Sequence, residues 1–176
     1  MNSLKETSTY KSITRLSSIT LPEAPAILSS GTKDKYNSMA IGWAQFGVVW
    51  RKPVITVYVK PERYTYEFIN NSNYFTLSFF EKKYNNIFSV YGTKSGRDIN
   101  KEKESGLHIL FLDNGGITFE EANQVFVCRI IYKHKISIDE VDKSIIELYE
   151  SNLAGFKSTD PHGEFVGEII AHYVKE

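Results

Sequence analysis

Three short segments carry residue types whose spacing could do chemistry. The first is Lys60-Pro61-Glu62-Arg63-Tyr64-Thr65, which leads from the end of a strand-like run into a helical pattern. The first amides of a helix lack partners within it and carry partial positive charge, so an anion is favoured there. Arg63 would add a guanidinium and Thr65 a hydroxyl. The second is the turn Ser95-Gly96-Arg97-Asp98 with Lys101 close behind, which offers a hydroxyl, backbone amides and cations in one place. The third is Asn37-Ser38-Met39-Ala40-Ile41-Gly42-Trp43, where small residues among larger ones would let a planar ligand lie close against a strand. Each has an ordinary alternative: a capped helix with a solvated arginine, a charged surface loop, and plain sheet packing with a bulge at Gly42.

Other chemistries find less support. His108, His134, His162 and His172 show no His-x-x-x-His spacing of a helix-borne metal site. His134 and His172 fall within strands, whereas His162 sits in a loop and could touch a ligand. Cys128 is the single cysteine, so intrachain disulfides and Cys-rich zinc sites are excluded and a cytoplasmic setting is expected. Placed mid-strand among apolar residues, its thiol reads as packing. No nucleophile elbow, dinucleotide-binding glycine motif or P-loop is present. Lys plus Arg and Asp plus Glu both number 21, giving no basic field for duplex nucleic acid, and a single-strand binding module lacks a basic stripe. No apolar run approaches the ~20 residues of a membrane helix, and Met1 to Thr20 is polar with no signal-peptide core.

With 41% hydrophobic and 24% charged residues, the chain can build one ordinary core. Residues 1–19 read as a loosely held arm, with a short strand near Ser12 to Leu16, and residues 20–176 as one domain. The strands expected are Ala24 to Leu28, Asn37 to Phe46, Pro53 to Lys60, Tyr74 to Phe80, His108 to Leu112, Gly116 to Phe119, Gln124 to Ile136 and Glu164 to Val174. Asn114-Gly115 signals a hairpin between two of them. Helices are expected after a Thr65 N-cap, over Lys82 to Val90, for a turn at Asn100 to Ser105, and over Asp139 to Glu150. Many short strands with a few interposed helices make the fold class mainly β, a mostly antiparallel barrel.

The order of these segments resembles the flavin-reductase-like family of FMN-binding split-barrel proteins, flavoredoxin among them, over about residues 20–176. Members carry an Asn-x-Met-(Thr or Ala)-x-x-Trp strand, matched by Asn37 to Trp43, an Arg-(His or Tyr)-Thr helix start, matched by Arg63 to Thr65, and a Ser-Gly-Arg-Asp loop with a following Lys, matched by Ser95 to Asp98 and Lys101. The resemblance implies that Asn37, Ser38, Met39, Ala40 and Ile41 line the flavin ring. It implies that Arg63, Tyr64 and Thr65 flank the FMN phosphate, and that Ser95, Gly96, Arg97 and Lys101 add phosphate and ribityl contacts. It further implies NADH or NADPH as hydride donor and a homodimer with FMN near the interface, or alternatively an FMN-binding electron carrier without nicotinamide activity. Two departures stand out. Many relatives have a Cys where this chain has Val90-Tyr91-Gly92, and often a His where Tyr64 stands.

Overall fold

The computed structural model describes residues 4–6, 26–152 and 162–175. Its strands are β1 (Leu4–Glu6), β2 (Ala26–Gly31), β3 (Tyr36–Ile41), β4 (Ala44–Val49), β5 (Lys52–Val59), β6 (Tyr74–Phe79), β7 (Ile109–Phe111), β8 (Ile117–Phe119), β9 (Gln124–Lys135) and β10 (Gly163–Lys175). The helices are α1 (Tyr64–Asn71), α2 (Ile87–Thr93), α3 (Lys101–Ser105) and α4 (Lys143–Asn152). All strand pairs are antiparallel. The large sheet runs β3-β2-β6-β9-β10-β5-β4 with β1 on β10, and β7–β8 forms a separate hairpin.

One passage of chain dictates the shape of this sheet. Strands β3 and β4 lie at opposite ends of the strand order, yet only Gly42 and Trp43 separate them in sequence. So short a link spans about 10 Å, so the sheet must curl until its two ends meet. The interior confirms the curl: Leu28, Ile55, Leu77, Phe126 and Phe165, from five different strands, share one core, and Phe46 of β4 packs edge-on to Phe126 of β9 at 5.8 Å. Here the structure corrects the single strand expected over Asn37 to Phe46. The apolar run is continuous, but the chain leaves one end of the sheet at Ile41 and joins the other at Ala44.

Alternation along the strands then fills two layers. On β2, Ala26 and Leu28 face the barrel core while Ile27 joins Ile87, Tyr91, Leu107 and Phe119 outside it, beneath α2 and the β7–β8 hairpin. The polar residues of this outer layer are paired: Ser29 with Ser38 at 2.7 Å, Ser78 with Thr118 at 2.8 Å, and the Thr76 hydroxyl donates to the Ile117 carbonyl. Asn114-Gly115 makes the β7–β8 turn, Gly115 taking φ 84. The two strand histidines behave as sheet residues; His172 is buried and stacks on Phe126 at 4.1 Å. Burial pushes the Cys128 thiol up, leaving it inert. The helix expected over Lys82 to Val90 is a 3-10 turn at Lys82–Tyr84 followed by α2, and that over Asp139 to Glu150 begins at Lys143. The strand expected near Ser12 to Leu16 lies outside the described residues. Among the described residues no helix is long and apolar enough to cross a membrane.

Gly167 sits at a tight point of the core. A Cβ there would fall 2.5 Å from Phe75 Cε1 and 2.7 Å from Cys128 Cβ, beside a register shift in the β9–β10 ladder. Gly167→Ala is therefore expected to cost about 2–3 kcal/mol, read as a lowered urea midpoint with unchanged slope.

Candidate functional site

The curled sheet does not seal at its seam. Among the described strands β3 pairs with β2 alone, so the backbone groups along its other side are not used by the sheet. Alternation turns Asn37, Met39 and Ile41 to one face, and Asn37 and Met39 line a cleft of about 570 Å³ beside that strand. Ligand sites of small molecules and cofactors fall in this size range.

The N-terminus of α1 and the loop between α2 and α3 supply the other walls. Pro61 stops β5 from continuing, and α1 starts at Tyr64 with Arg63 as its N-cap in an extended conformation and no side-chain cap. Thr65 is thus not the cap. It lies inside the first turn, 1% exposed, and its hydroxyl accepts from Asn37 Nδ2 at 2.8 Å. That bond ties helix to strand. The loop is seated on the same asparagine: a Cβ on Gly96 would fall 2.1 Å from Asn37 Oδ1, so only glycine lets the turn approach. The Ser95 hydroxyl accepts from the Arg97 amide at 3.1 Å and tightens the turn.

The cleft is cationic. Arg63 donates to the Gly92 carbonyl at 3.3 Å, Lys94 pairs with Glu104 at 2.7 Å, and Arg97 pairs with Glu67. Lys101 is the deepest of these cations. It is 5% exposed, donates to the Ser38 carbonyl at 2.9 Å, and its ammonium lies 5.5 Å from the Tyr91 ring centre. Burial first, then the neighbouring Arg63 charge, lower its pKa from 10.5 to about 8, with Glu102 opposing. Burial pushes the Tyr91 hydroxyl up, so it stays protonated. Beside the β5 end, His162 stacks on Trp43 at 4.6 Å; burial and the charges of Lys60 and Arg63 push it down to about 4. Among the described residues no group of three metal-ligating side chains is placed to hold a metal ion.

The structure therefore brings together Asn37, Met39, Arg63, Tyr64, Thr65, Ser95, Gly96, Arg97 and Lys101 in one cleft, from four separate stretches of sequence. Three of the sequence-selected residues are elsewhere. Ser38 reaches the site through its carbonyl, Ala40 packs outward against Gly92, and Ile41 is in the barrel core. Glu62, Tyr91, Thr93 and Lys94 also line the cleft. Glu62 lies within the first segment, whereas Tyr91, Thr93 and Lys94 come just before the second, and their orientation into the cleft is not shown by sequence.

Comparison with known proteins identifies the family and the fold. The flavin reductase like domain family matches residues 18–176. The chain belongs to this family. Solved structures of the same split-barrel fold include a flavoredoxin from Methanosarcina acetivorans, 22% identical, covering 87% of this chain and 69% of that one at a TM-score of 0.66. Another is an FMN-binding domain of a flavin reductases-like enzyme from Shewanella baltica, 16% identical, covering 99% of this chain and 78% of that one at 0.69. A third is an NADH:FAD oxidoreductase from Streptomyces globisporus, 10% identical, covering 86% and 75% at 0.63. No curated protein matches significantly.

The buried lysine gives this site a measurable signature. Because folding lowers the Lys101 pKa, the unfolded chain holds between pH 8 and 10.5 a proton that the folded chain has shed, so stability rises with pH across that window. Lys101→Met is expected to remove about 1–2 kcal/mol of this rise, measured as the difference in unfolding free energy between about pH 7 and about pH 10.

Proposed function

We propose that this protein is an FMN-dependent oxidoreductase of the NAD(P)H:flavin reductase type. The observation that carries the reading is the gathering of Arg63, Thr65 and Lys101 in one cleft beside the open edge of β3. A dianionic phosphate fits this gathering: Arg63 and Lys101 offer charge, Thr65 a hydroxyl, and the start of α1 amides without intrahelical partners. A planar ring fits the strand, since the unpaired side of β3 presents alternating N–H and C=O groups to an edge of carbonyls and imide. Gly96 lets the loop close on Asn37 at the cleft wall.

A bound flavin would supply the redox chemistry, hydride acceptance from NADH or NADPH and onward transfer of electrons to an acceptor. The residues of this chain place it and set its field. Amides along Asn37 to Ile41 would stabilise negative charge on the reduced ring. Tyr91, held protonated, and Lys101 fix the floor, and no side-chain acid or base is needed. The Streptomyces relative, an NADH:FAD oxidoreductase, and the Shewanella FMN-binding domain support both halves of this reading.

The protein would act as a homodimer. The β4–β5 hairpin, turned at Trp50 and Arg51 with φ of 50 and 59, holds Val48 and Trp50 at 66% and 64% exposure, with Trp50 edge-on to Tyr132 at 6.3 Å. An apolar surface of this kind is suited to burial against a second copy.

Two outcomes test the reading. Arg63→Ala should weaken FMN by about 10- to 100-fold and Thr65→Ala by about tenfold, with riboflavin, which lacks the phosphate, nearly unaffected. Unchanged FMN affinity in both would remove the phosphate assignment. Flavin retained after desalting should bleach under anaerobic NADH or NADPH; retained flavin that stays oxidised would make the protein a carrier instead.

A further inference from the structure

The loop of Ser95 to Asp98 was expected to present Arg97 to the phosphate, yet the Arg97 guanidinium is committed elsewhere. It lies over the face of Tyr64, its central carbon 4.4 Å from the ring centre, and its Nη2 is ion-paired with Glu67, one helical turn further along α1. Tyr64 is itself braced edge-on by Phe68 at 4.9 Å. The ring thus has an arginine on its face and a phenylalanine at its side, and Arg97 spans from loop to helix across the cleft wall that Tyr64 forms.

A phosphate ligand would present differently. Arg63 and Lys101 approach the cleft from its helix start and its floor, whereas the charge of Arg97 is matched by a carboxylate on the helix surface. With Glu67 beside it, the pair contributes little net charge to the cleft. What it does contribute is a second tie between loop and helix. The first is Gly96 seated on Asn37, which in turn holds Thr65. Arg97 thus holds the loop to the helix at a second, outer point.

We propose that Arg97, through Tyr64 and Glu67, is a positioning residue that clasps the Ser95–Asp98 loop against α1, setting how fast a bound flavin leaves rather than binding its phosphate. The proposal rests on the flavin reading of the cleft. The Arg97 and Glu67 side chains are 44% and 53% exposed, so the clasp is weak and openable, suited to a site that must admit and release its ligand.

The two roles for Arg97 predict opposite effects of one substitution. If Arg97 is a clasp, Glu67→Gln weakens it, and the release rates of FMN and riboflavin, followed by recovery of flavin fluorescence, rise together by about two- to fivefold. Arg97→Lys, which keeps the charge but loses the planar stack and the fork, raises both by about three- to tenfold. If Arg97 is instead a phosphate ligand, Glu67 is its competitor: Glu67→Gln would then tighten FMN and leave riboflavin unchanged, and either result overturns the proposal. Equal melting temperatures of wild type and variants exclude a general loss of structure, and Glu67→Gln keeps the test open should Arg97→Lys fold poorly. Wild-type protein that binds neither flavin would overturn the reading of the cleft, and the clasp with it.

Discussion

The structure depends on one short link, the passage of the chain through Gly42 and Trp43 from one end of its sheet to the other. That passage forces the sheet to roll, and the rolling creates a core shared by all of its long strands. It also leaves β3 unpaired along one side, because the chain crosses from β3 to the far end of the sheet instead of turning back to pair with it, and among the described strands β3 pairs with β2 alone. An unpaired strand edge is usually a liability, and here it is covered by α1, α2 and the loop that follows. The cleft is the space that this cover does not fill.

What surrounds the cleft follows from burying cations near a dry strand edge. Lys101 is taken out of water and given the Ser38 carbonyl and the Tyr91 ring but no carboxylate salt bridge among the described residues, so its charge is held at a cost that a bound anion would offset. Asn37 joins the three walls by hydrogen-bonding Thr65 and receiving Gly96, which makes it the pivot of the site although it bears no charge. In the proposed reading, selectivity for a phosphate-bearing ligand and placement of its planar part belong to different walls of one cleft. The protein can lend its field to redox chemistry without supplying a reacting side chain.

Much of this was legible from residue types in order. The Arg63-Tyr64-Thr65 and Ser95-Gly96-Arg97-Asp98 segments were recognisable as anion-friendly before their convergence was visible, and the Asn114-Gly115 hairpin was readable from local turn chemistry alone. What escaped the sequence was of tertiary origin. Thr65 looks like a helix cap because hydroxyls cap helices, but its hydroxyl is claimed by Asn37, far away in sequence. The break between β3 and β4 is invisible in a run that stays apolar throughout. Arg97 reads as a free cation, since nothing local announces that Glu67 and Tyr64 will meet it. Pairings across the fold decide side-chain roles that spacing can only suggest.

A crystal structure of the protein soaked with FMN tests the central claim most directly. The account predicts the phosphate within hydrogen-bond distance of Arg63 and Thr65, the ring edge against the backbone of Asn37 to Ile41, and the Arg97–Glu67 pair intact. A phosphate bound away from Arg63 and Thr65, or a ring lying off the β3 edge, would contradict it.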